Sequence, residues 1–233
     1  MGCAVLALCV SCGYEYDPEL KDERNEIEVY CDALLGMAGD DPAEAFRCAF
    51  LLDAALSLPE DRQEEALEKI PAQRFQDGTY EVQGPRRWIR VRPSGASLDD
   101  SGATWEVSMY DEATLTLVRE DGGWRGTFRS EGRKFPNGRG LSAPVESTLY
   151  FSRRFQEGNY WGGDAQGIVL EGVRTENDGY RAVFHSVQSL EMGGWYGLAG
   201  AVTVDFYHGQ TWKNSCTAYR TGKGRSDRFE HRH

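Results

Sequence analysis

The sequence predicts an α+β fold, with an N-terminal helical hairpin and a third helix followed by an antiparallel β meander of about ten strands, closed as a barrel or stacked as a sandwich. Three observations carry this expectation. In the first third, Ala, Leu and Glu dominate and apolar residues recur at helical spacing. From Thr79 onward Thr, Tyr, Trp, Arg and Gly take over, and apolar residues alternate with polar ones. Short clusters of turn residues separate these runs, so neighbouring strands pair as hairpins and parallel crossovers are disfavoured.

The first helix is expected over Lys21 to Met37, where Ile27, Cys31, Leu34, Leu35 and Ala38 share one face. Gly39-Asp40-Asp41-Pro42 should stop it, with Asp41 capping the next helix and Pro42 in its first turn. That second helix runs to about Ser57 with Ala45, Cys48, Ala49, Leu52 and Leu56 aligned, and a third covers Pro59 to Ile70. Folding the first two back at Asp40 brings Cys31 level with Cys48. The pair then reads either as a disulfide or as two small core side chains.

Strands are expected at Thr79 to Gln83, Arg87 to Arg92, Thr104 to Tyr110, Ala113 to Glu120, Trp124 to Ser130 and Val145 to Ser152. Gly167 to Glu176 and Tyr180 to Gln188 flank Asn177-Asp178-Gly179, the strongest hairpin signal in the chain. Ala201 to His208 and Thr211 to Tyr219 flank Gly209-Gln210. The resulting division is an opening segment 1–12, a helical region 13–77, a β domain 78–221 and a mobile tail 222–233.

With 40% apolar and 12% aromatic residues, the 233-residue chain can fill a substantial core. Its formal charge of -11 opposes nucleic-acid binding, which needs clustered Lys and Arg. The acidity is local. Gly13 to Asp77 carries 18 acidic and six basic residues, against 19 and 20 from Gly78 onward.

The chain opens with an uncharged run in which Ala4 to Val10 is apolar, Ser11 is small, and Cys12 is followed by Gly13, Glu15, Asp17 and Glu19. A short apolar stretch with a small residue before the cut is a secretory feature. Cys9-Val10-Ser11-Cys12 resembles the lipobox of bacterial lipoproteins, although Cys9 stands where Leu is usual. The acidic residues that follow resemble the surface-export signals of Bacteroides-type lipoproteins. This resemblance implies lipidation at Cys12 and an outer-membrane location facing the periplasm or the cell surface. By length alone the same run also suits a buried strand.

Two loops stand out for chemistry. Asn159-Tyr160-Trp161-Gly162-Gly163 and Gly193-Gly194-Trp195-Tyr196-Gly197 each set an aromatic pair in a glycine frame between predicted strands. Tyr160, Trp161, Trp195 and Tyr196 there suit a glycan or a protein partner, or else fold back to plug the ends of the β unit. Arg125 and Arg129 alternate with Trp124 and Phe128, as do Arg90 and Arg92 with their neighbours, which is the pattern of a solvated, Glu-paired sheet face. His185, His208 and Asp205 lack the close ligand spacing of a metal site. Phosphate-loop, G-x-S-x-G and H-E-x-x-H motifs do not occur. The expectation is a non-catalytic envelope binding or accessory module that needs no cofactor or metal. The alternative is an envelope hydrolase with a carboxylate acid and base at a barrel mouth.

Overall fold

The computed structural model describes residues 25–110, 113–131, 144–152, 168–175, 179–193, 197–222 and 224–233. A helix begins at Asn25, whose side chain accepts from the Glu28 N–H while Glu28 accepts from the Asn25 N–H, each at 3.0 Å. This reciprocal cap starts α1 (Glu26–Leu35). The chain then enters a π-helical segment (Gly36–Asp40) and continues into α2 (Asp41–Leu56). Leu35, Gly36, Asp40 and Asp41 all keep right-handed helical dihedrals, so the expected turn at Asp40 is absent. One long helix replaces the hairpin.

Pro42 explains the difference. It has no N–H to give the Ala38 carbonyl, and its ring would crowd that carbonyl in a tight α turn. The wider π turn, closed by the Asp41 N–H on the Gly36 carbonyl, relieves the crowding. The Ala38 carbonyl accepts instead from Ser147 Oγ at 2.6 Å. Cys31 and Cys48 therefore lie along a single helix rather than facing each other, and both are free, buried thiols. Of the two readings of this pair, two small core side chains is the one the structure fits, and a Cys31–Cys48 disulfide is not.

A short helix, α3 (Glu60–Lys69), follows. The strands are β1 (Ala72–Arg74), β2 (Tyr80–Gln83), β3 (Trp88–Arg92), β4 (Thr104–Tyr110), β5 (Ala113–Glu120), β6 (Gly123–Ser130) and β7 (Val145–Phe151). Then come β8 (Ile168–Thr175), β9 (Tyr180–Ser186), β10 (Glu191–Gly193), β11 (Gly197–His208), β12 (Thr211–Thr221) and β13 (Ser226–Arg232). They form one antiparallel sheet in chain order, except that β9 pairs directly with β11 and β10 lies off the path against β11. The meander is as expected. It is not closed into a barrel; β1 and β13 stand at the two edges of the pairing order.

The arrangement is sandwich-like, with the long helix as filling. α2 packs on β2 to β6 and also on β11, the π segment on β7 and β11, and α1 on β12. Thirteen of the sixteen α2 residues are buried, which requires sheet on more than one side. Phe46 sits 3.7 Å from Phe151 between ring centroids, and Phe50 meets Trp124 edge-on at 4.9 Å. Gly126 lets β6 approach so closely that a Cβ there would collide with the Phe46 ring. Helical region and β domain thus share one core, and β1 already belongs to the sheet, so the boundary expected near Gly78 does not separate two packed units. The expected mobile tail contains β13, hydrogen-bonded to β12 from Ser215↔Arg232 to Arg220↔Ser226.

Candidate functional site

Five carboxylates of the long helix are buried, and all are tied to the sheet or its loops. Asp32 Oδ1 accepts from Ser226 N (3.0 Å) and Ser226 Oγ (2.5 Å) at the start of β13. Asp40 accepts from Leu198 N at 2.9 Å and from the guanidinium of Arg220 on β12, which also lies 3.6 Å from Asp32. Gly197 makes room for this, since a Cβ there would stand 2.8 Å from the Asp40 carboxylate. Asp41 takes both Arg87 nitrogens (3.1 and 2.9 Å) from the β2–β3 turn. Glu44 receives Arg86 Nε at 2.8 Å and Arg86 N at 3.1 Å. Asp53 accepts from Leu98 N at 3.0 Å and Ser97 Oγ at 3.2 Å in the β3–β4 connection.

These groups latch the helix into the sheet. Charge-assisted bonds of this kind are strong only when every lone pair is met, because an unpaired buried charge is costly. Burial pushes the Asp41 carboxyl up to about 6, against the pull of Arg87 and Arg86. Burial also lowers the proton affinity of Arg86, but Asp41 and Glu44 more than reverse that and hold it charged.

The residues expected to bind, Tyr160, Trp161, Trp195 and Tyr196, lie outside the described residues, as does Cys12. The points from which their loops depart are described. β7 ends at Phe151 opposite Ile168, the first residue of β8. Ile168 exchanges backbone hydrogen bonds of 3.0 and 2.7 Å with Leu190, and one residue later β10 begins, pairing Gly193 with Gly197 at the start of β11. Both loop roots therefore stand at one end of the sheet. A shallow groove of about 300 Å³ opens at the same end, lined by Val187, Gln188, Gly200, Tyr219, Thr221 and Asp227. Val187 is 58% exposed in it.

The outward arginines pair as the alternation implied: Arg125 with Glu120 at 2.6 Å, Arg129 with Glu146 at 3.6 Å, Arg90 with Glu81 at 2.8 Å. His185 lies opposite Glu171 and Thr203, while His208 packs at a tilt against Tyr180, 4.5 Å between ring centroids, and Asp205 accepts from the Trp212 indole at 3.4 Å. The three are not assembled, and among the described residues no group of three His, Cys, Asp or Glu side chains is placed to hold a metal.

At the opposite end of the sheet is a cluster that the sequence reading missed. Trp212 pairs with Tyr207 across β11 and β12, Arg181 lies over Tyr207 at 4.7 Å, and Arg232 approaches Trp212 at 6.0 Å. As register partners beside the bulge at Phe206/Tyr207, the two rings lie on one face of the sheet. Their only sequence signal is the aromatic pair flanking Gly209-Gln210. The chain matches no known protein family, no curated protein and no solved structure.

Proposed function

We propose that the protein is a non-catalytic binding or accessory module of a bacterial cell envelope, anchored to the outer membrane by a lipid on Cys12. Tyr160, Trp161, Trp195 and Tyr196 are the contact residues for a glycan or a protein partner. The observation that supports this reading most is the shared departure point of the two aromatic loops beside the groove at Val187 and Tyr219. Two glycine-framed aromatic pairs rooted a few residues apart on paired strands can act on one ligand, and ring faces with polar tips suit sugars and protein hot spots.

The carboxylates give the hydrolase alternative no comparable support. Those on the helix are engaged by arginines, serines and backbone amides rather than facing each other across a cleft. Replacing Trp161 and Trp195 together by Ala should abolish retention on a glycan array or in an envelope-protein pull-down while the melting temperature stays close to wild type. A large fall in that temperature would instead make the two rings core plugs. Intact-mass analysis of protein purified from its native host should show a chain beginning at a lipid-modified Cys12; an unmodified chain beginning at Met1 would end the envelope reading.

A further inference from the structure

Cys31 on α1 and Cys216 on β12 are each fully buried where α1 packs against β12, close enough for each thiol to act on the other. They come from elements 185 positions apart in the chain, so nothing local explains the meeting. Around them stands a small polar group. His231 of β13 is the register partner of Cys216, and its ring lies 2.8 Å from Glu28 Oε1, one helical turn before Cys31.

We propose that Cys31 and Cys216 are a latent disulfide, formed by exchange with a disulfide-bearing oxidant, which fastens the start of the long helix to β12. The two thiols are not equivalent. The hydrogen bond with Cys31 favours the thiolate of Cys216 against the opposing effect of burial, and His231 adds to it, whereas the same bond and burial keep Cys31 protonated. With His231 of the edge strand as its register partner, Cys216 is the first nucleophile. Its thiolate attacks one sulfur of the oxidant, expelling one thiolate and leaving a mixed disulfide on Cys216. Cys31 then gives up its proton, and its sulfur attacks that of Cys216 and displaces the second thiolate. Two protein thiols are oxidised by two electrons, and the oxidant disulfide is reduced to two thiols.

Because both sulfurs are buried between α1 and β12, beside the edge strand β13, exchange takes place while the chain folds or when that edge opens. Cys48 has no part in it. It lies further along the helix, where burial raises its thiol far above the ordinary range and Arg47 only partly opposes this. The inference does not depend on what the protein binds, and its failure would leave the aromatic-loop reading untouched.

The test is to refold the full chain in a buffer of reduced and oxidised glutathione, trap free thiols with an alkylating maleimide, and map the unreduced tryptic peptides. Trypsin places the cysteines on separate fragments: Cys31 on Asn25–Arg47, Cys48 on Cys48–Arg62 and Cys216 on Asn214–Arg220. The expected product joins the first fragment to the third, lighter than their sum by two hydrogens, with the Cys48 fragment alkylated. A Cys48→Ser variant should give the same cross-link. Separately alkylated Cys31 and Cys216 fragments, or either of them bonded to Cys48 or to the Met1–Lys21 fragment, would overturn the proposal.

Discussion

Asp41 holds two guanidinium groups and is still harder to ionise than a carboxylate in water, because the desolvation of a fully enclosed charge outweighs the attraction. The consequence for stability has a definite sign. Unfolded, the group titrates near 3.8; folded, near about 6. Between those values the folded chain holds a proton that the unfolded chain has released, so the Asp41 contribution is full only below 3.8 and is lost progressively as pH rises to about 6. Asp41→Asn removes this dependence. Urea midpoints at pH 4, 5, 6 and 7 should show the variant gaining on wild type by about 1–3 kcal/mol across that interval, from a shift of roughly two units. Parallel profiles would mean that Arg86 and Arg87 fully offset the burial. The residue was visible in the sequence only as part of an expected helix cap. What the sequence hides is that its acidic neighbours face inward, since burial of a charge depends on partners supplied from Arg86, Arg87 and Arg220, far along the chain.

The long helix meets the sheet through Asp32 before its π segment, Asp40 at the end of that segment, and Asp41, Glu44 and Asp53 after it. A π turn is an α helix carrying one extra residue, and each residue contributes a rotation of about 100°. Deleting Gly36 should restore regular α geometry while rotating one set of latches away from its partners. The expected loss is about 4 kcal/mol or more, since buried charges would be stranded, read as a collapsed urea midpoint or a non-cooperative transition. Retention of the midpoint would show that the helix can slide in its groove. The Asp-Pro pair hides the continuation for a physical reason: it is a good helix start when the preceding residues leave the helix, and here the π turn and the Ser147 hydroxyl of β7 together let the helix run through it. The long strands were legible because their inner faces alternate cleanly, as in Ile89 and Val91 of β3 or Leu115 and Leu117 of β5. β1 and β10 are three residues each, too short to show a period.

At the scale of the whole molecule the sheet wraps the helix without closing, which leaves two edges to protect. The β1 edge is short and lies against α3. β13 is longer, and composition explains why it escaped notice: Ser-Asp-Arg-Phe-Glu-His-Arg holds one large apolar residue, Phe229, so no alternation marks it as a strand. Those charges are what an exposed edge needs, because unpaired N–H and C=O groups otherwise recruit a second chain. Arg228 lies 3.9 Å from the Tyr219 ring and Glu230 accepts from the Tyr219 hydroxyl at 2.8 Å, which keeps both side chains along the edge. Replacing Arg228 and Glu230 together by Val should therefore cost little stability, about 1 kcal/mol or less for exposed pairs, yet promote edge-to-edge pairing. Light scattering coupled to size exclusion, run over a hundredfold range of concentration, should show an apparent mass rising with concentration for the double variant and not for the parent chain. If both behave alike, the guard lies in the twist of β13 at the Tyr219/Arg220 bulge rather than in its charges.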